Sequence, residues 1–116
     1  MTEKQENTVI EAMDILQKKI YENARLHGWH DEERSFGDIV ALCHSELSEA
    51  LEAYRNNEPM VWMNGDKPDG MAVELCDCII RILDYLGSTD VSAGELIVLK
   101  HNYNIGRSHR HGGKKI

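Results

Sequence analysis

The sequence predicts an all-α fold, a four-helix bundle, on three observations. Apolar residues recur at helical spacing along four segments. Three of those segments open on a Ser or Thr followed three residues later by an acid. No run of alternating apolar and polar residues marks a strand. At 116 residues the chain is read as one domain, residues 1–116, with room for a single core but little for a deep pocket.

The first helix is expected from about Thr8 to His27, with Thr8 and Glu11 as a capping box, Val9, Met13, Leu16 and Ile20 as its apolar stripe, and Gly28 as its stop. The second starts at Ser35, with Asp38 three residues on. Its stripe of Phe36, Val40, Cys43, Leu47, Ala50 and Tyr54 keeps the 3.5-residue repeat of bundle helices. Asn56 and Asn57 lead into a loop reaching Asp69, marked by Pro59, Asn64-Gly65 and Pro68-Asp69-Gly70. The third helix carries Met71, Leu75, Cys78, Ile82 and Leu86, with Gly87 as its C-cap. Ser92 and Glu95 form a capping box for the fourth, which is expected to turn Leu96, Leu99 and Tyr103 inward. Gly112-Gly113 breaks the pattern within a basic tail of about 108–116.

Charge is uneven. The chain carries −7 overall, yet residues 100–116 hold Lys100, Arg107, Arg110, Lys114 and Lys115 and no acid, so the first 99 residues carry −12. That acidic body repels a polyanion, and Tyr103 is the tail's single aromatic for stacking on bases; nucleic acid is a poor partner. The charged start, Met1 to Asn7, is no signal peptide, and no apolar run approaches a membrane span. Cys43, Cys76 and Cys78 suit neither a disulfide framework nor a zinc ribbon and read as buried reduced thiols. A cytoplasmic location is expected.

The chemistry lies in the acids. Glu46/Glu49 and Glu74/Asp77 are each three residues apart, which puts both members of a pair on one helix face. Either pair alone reads as a solvated helix face. Two pairs on consecutive helices set four carboxylates against each other at the edge of the apolar stripes, an arrangement that calls for a divalent cation. Oxygen-only ligands suit Mg²⁺, with Mn²⁺ as a substitute. Lys100, Asn104 and Arg107 share a face of the last helix and form a cationic clamp fit for phosphate. The helix macrodipole explains Arg107 but not Lys100 or Asn104. A carboxylate, Glu46 or Glu49, is the candidate to take a proton from water. Trp29, His30, Trp62 and Met63 lie in linkers; packing against the bundle is favoured over a base-binding wall. Glu52 reads as a supporting or surface acid, and His44 more as a packing residue than as one that orients a ligand. A carboxylate-bridged di-iron site is a poor reading, since no His follows a Glu by three.

The string His44-Ser45-Glu46-Leu47-Ser48-Glu49-Ala50-Leu51-Glu52, followed by Val73-Glu74-Leu75-Cys76-Asp77, resembles the ExxE…ExxD signature of the MazG-like nucleotide pyrophosphohydrolases, the all-α NTP pyrophosphatases. Lys67-Pro68-Asp69-Gly70 is similar to compact members, as is Lys100-His101-Asn102-Tyr103-Asn104-Ile105-Gly106-Arg107 through His111-Gly112-Gly113-Lys114. The likeness covers roughly residues 8–115. It implies Mg²⁺-dependent hydrolysis of a nucleoside triphosphate, ribo or deoxy, to the monophosphate and pyrophosphate, commonly in clearing unwanted nucleotides. Glu46, Glu49, Glu74 and Asp77 match the metal-binding acids, and Lys100, Asn104 and Arg107 the substrate-contacting positions. Lys114 and His111 would contribute from a tail. A homodimer or homotetramer, with helices of neighbouring copies completing the site, is implied too. The alternatives are a regulator that holds a nucleotide without cleaving it and a helical interaction module.

Overall fold

Helix α1 (Glu3–Leu26) begins at Glu3, not near Thr8. Thr2 Oγ1 accepts the Gln5 amide at 3.1 Å and Gln5 Oε1 accepts the Thr2 amide at 2.9 Å, a complete capping box one and a half turns upstream. Glu3 and Glu6 add negative charge at the positive end of the helix. The hydroxyl expected to cap, on Thr8, instead donates to the Lys4 carbonyl within the helix. The other end behaves as expected. Gly28 has φ +85°, its amide donates to the Arg25 carbonyl and the Trp29 amide to the Ala24 carbonyl, so both orphan carbonyls are met.

A computed structural model describes all 116 residues. After α1 come α2 (Phe36–Arg55), strands β1 (Trp62–Asn64) and β2 (Lys67–Asp69), α3 (Met71–Gly87) and α4 (Ala93–Ile105). A short turn, Arg110–Gly113, follows near the end. The capping box of α2 is the expected one, Ser35 with Asp38. The loop before α3 holds what the sequence did not suggest, an antiparallel hairpin pairing Trp62 with Asp69, Met63 with Pro68 and Asn64 with Lys67. Three-residue strands are too short to register alternation, and Pro68 is tolerated because a two-stranded ribbon is all edge.

The hairpin delivers the chain into α3 through Gly70, at φ +111°. A Cβ there would stand 2.6 Å from the Met60 carbonyl oxygen, and the Ala72 amide donates to that same oxygen at 2.9 Å. Helix α3 packs against both α2 and α1, whereas α4 packs on α1. Gly94 lets α4 approach closely, since a Cβ would lie 2.9 Å from the Met13 Cβ. Gln17, buried on α1, ties down the turn before α4: Nε2 donates to the Val91 carbonyl at 2.8 Å and Oε1 accepts the Ala93 amide at 3.0 Å. Ser92 caps the Glu95 amide but gives its own proton to Asp14 rather than completing a box. Gly87 closes α3 as its last residue, beside Tyr21, and Ser88 is the C-cap.

Four main helices packed together are therefore present, with the small hairpin added; Val9, Met13 and Ile20 of α1 and Cys78 and Leu86 of α3 are covered as expected, whereas α2 in part and α4 wholly turn other faces inward. The buried apolar residues are Ala53, Cys78, Leu83, Ala93 and Val98. On α2 the row that faces inward contains Glu46 and Ala53, while Leu47 is 46 % and Tyr54 66 % exposed. On α4 the expected inward set fails outright: Leu96, Leu99 and Tyr103 are all exposed, Leu99 to 67 %. Apolar spacing locates a stripe but does not say whether the same chain or another covers it. Of the thiols, Cys78 is buried, Cys43 half-buried and Cys76 exposed, all free. No helix is long and apolar enough to cross a membrane.

Candidate metal centre

Three of the four acids of the sequence pattern, Glu46, Glu74 and Asp77, meet where α2 packs on α3. Glu46, 7 % exposed, projects from α2, and Glu74 and Asp77 from the first turns of α3; one oxygen of each lies within 4.8 Å of the others. Glu49, one turn beyond Glu46 on the exposed rim, approaches the Glu74 carboxyl closely. Burial, the contact with Glu49 and the charges of Glu49, Asp77 and Glu46 together push the Glu74 carboxyl up to about 7. Burial and then Glu46 raise Asp77 also, while Arg81 and Lys67 pull it down.

Glu74 Oε2 is buried with no hydrogen-bond partner. An orphaned carboxylate oxygen facing three other acids fits a hard cation bound through oxygen, the donor chemistry expected for Mg²⁺ or Mn²⁺. A cluster able to hold a metal is thus in place.

Two residues of the site escaped the sequence reading. Arg81 donates from Nε to Glu46 Oε1 at 2.6 Å, and Asp84 bonds His30 Nε2 at 2.7 Å. With Glu74 and Asp77 they form one row on α3 at i, i+3, i+7 and i+10, so the spacing was legible; a cation four residues after an acid simply reads as an ordinary surface pair. Glu46, Asp77, Arg81 and Asp84 line one side of a cavity of about 630 Å³. Lys19, Asn23 and His27 of α1 face them, with Trp29 and Arg34 from the connecting loop.

Trp29 is there because the Gly28 turn reverses the chain at the end of α1. It is 53 % exposed, with the Arg34 guanidinium 5.0 Å over its ring. Trp62 does suit the packing reading, half-buried and bonded through Nε1 to Glu58 at 3.0 Å. His44 is exposed, and Glu52 lies at the surface pairing loosely with Arg55.

No protein-family model, curated protein or solved structure matches this chain.

The cationic set stands elsewhere. Lys100, Asn104 and Arg107 lie on α4, which packs on α1, and none of them lines the cavity. Lys100 Nζ and the Arg107 guanidinium both lie over the Tyr103 ring, at 4.6 and 5.5 Å. Asn104 Oδ1 is buried without a partner. Lys114 and His111 are exposed. Within one chain the acids are assembled and the clamp is not joined to them.

Proposed function

We propose that the protein is a nucleoside triphosphate pyrophosphohydrolase of the MazG-like kind, releasing pyrophosphate and a monophosphate with Mg²⁺ as cofactor, in nucleotide-pool clean-up. The observation that carries this reading is the convergence of three of the ExxE…ExxD acids, Glu46, Glu74 and Asp77, with Glu49 beside them, at a cavity of nucleotide size that Glu46 and Asp77 line. On it, the four packed helices are the bundle of the all-α NTP pyrophosphatases.

Glu46, Glu49, Glu74 and Asp77 would hold the cation. A divalent cation supplies charge neutralisation for the phosphate oxygens and makes water a better nucleophile. Glu49 is the better candidate for the proton acceptor: it stands at the exposed rim, whereas Glu46 is buried and bound to Arg81. Trp29, with Ile20 and Ile80, offers the cavity an apolar wall for a base.

A homo-oligomer belongs to the same proposal. The chain exposes 8882 Å², against roughly 6,400 Å² for a compact protein of its mass. Its radius of gyration is 16.6 Å, where about 13 Å is usual. The surplus is on the scale that obligate assemblies bury, and it includes the outward rows Leu47, Leu51 and Tyr54 of α2 and Leu75, Ile79 and Ile82 of α3. In a dimer or tetramer, Lys100, Asn104 and Arg107 of a neighbouring copy would supply the phosphate clamp.

The test is incubation with a panel of canonical and modified ribo- and deoxyribonucleoside triphosphates, with Mg²⁺ or EDTA, measuring pyrophosphate and monophosphate separately. Equimolar products, lost with EDTA, are expected. Metal-dependent binding without product would replace the enzyme with a nucleotide-binding regulator.

A further inference from the structure

Among the cationic side chains, Arg81 alone makes an ion pair with the acid cluster. Its bond to Glu46 uses only Nε; the two Nη groups donate to nothing in the chain, and the guanidinium, 34 % exposed, borders the cavity. A guanidinium that served only to anchor a carboxylate would present its two-pronged edge and bond both oxygens. Here a single bond neutralises the most buried of the four acids and leaves the rest of the group free to swing.

We infer that Arg81 is the resident counter-ion of the cluster: it holds Glu46 while no divalent cation is bound and is displaced from Glu46 when one binds. This rests on the cation site proposed above and adds regulation to it. The physical reason is competition for one buried carboxylate. Arg stays charged at every physiological pH, so it cannot release Glu46 by losing a proton. A cation arriving among Glu46, Glu74 and Asp77 both needs that carboxylate and repels the guanidinium. Displacement moves Arg81 toward the cavity it already borders. The device sets a threshold, filling the site only at divalent concentrations high enough to outbid an internal cation.

Calorimetric titration of the metal-free protein with Mn²⁺, comparing wild type, R81Q, R81K and E74Q, tests this. We expect R81Q to bind Mn²⁺ about tenfold more tightly than wild type, and R81K, which keeps the charge, to change far less. Metal-free R81Q should also melt below metal-free wild type, because Glu46 is left buried without a partner. Mn²⁺ affinity in R81Q equal to or weaker than wild type overturns the inference and makes Arg81 a support for Glu46. No binding by wild type, or undiminished binding by E74Q, overturns the cation site itself. A readout that needs no variant is the Arg81 Nε–H resonance: saturating Mg²⁺ should move it to the position of an unbonded arginine, and an unmoved signal refutes displacement.

Discussion

Glu74 concentrates the electrostatic cost of the site, with one oxygen that nothing in the chain satisfies and a carboxyl held protonated up to about 7 against an ordinary 4.5. The folded state therefore binds this proton more tightly than the unfolded chain does. The group stabilises the fold fully below 4.5 and ceases to do so as pH rises through 7. We expect the melting temperature of the metal-free protein to include a fall from this group between about pH 5 and pH 8. Added Mg²⁺ should raise it at the upper pH and have little effect at the lower, where protons occupy the ligands. Mg²⁺ leaving the melting temperature unmoved at the upper pH would argue against cation binding at Glu74. Glu49→Gln and Glu74→Gln should each lower turnover by at least about 100-fold while far-ultraviolet circular dichroism stays that of wild type. Near wild-type rates in either variant at saturating Mg²⁺ would remove the four-carboxylate site.

At the scale of elements, the hairpin and its glycine hold the start of α3, and with it Glu74 and Asp77, in position. Gly70→Ala forces a side chain into a left-handed conformation and against the Met60 carbonyl. It should cost about 3 kcal/mol in urea denaturation; a loss within measurement error would mean the hairpin does not clamp α3. What could be read from sequence follows from range. The Ser35–Asp38 cap, the Gly28 stop and the i, i+3 acid pairs depend on neighbours a turn away, and all three are where the pattern put them. The start of α1 was read at Thr8, which satisfies the local capping rule, whereas the structure caps at Thr2 and gains more than a turn of helix. The inward rows of α2 and α4 were not legible, because Leu47, Leu99 and Tyr103 are apolar whether they face their own chain or another. The separation of Lys100, Asn104 and Arg107 from the acids has the same origin: it is a matter of which helix α4 lies on, and spacing within α4 carries no information about that.

The whole molecule is more open than its length requires, with no large side chain fully buried. Light scattering of the wild type at micromolar concentration should give a multiple of 13.2 kDa. Leu51→Glu on the outward row of α2 should shift it toward the single-chain mass and lower activity with it. A fully active 13.2 kDa species would end the oligomer reading. The way the helices meet also fixes an order of events. All four acids and Arg81 lie between Phe36 and Gly87, in α2 and α3, so the acid cluster is built from helices adjacent along the chain. The wrapping is not: α4 closes on α1, and Asn102 bonds Glu6 at 3.0 Å across a separation of 96 residues. Closing so long a loop is slow relative to forming a local helix pair. Within this chain the second face of α1 therefore depends on a contact made across nearly the whole sequence, whereas the carboxylates depend on one made between adjacent helices.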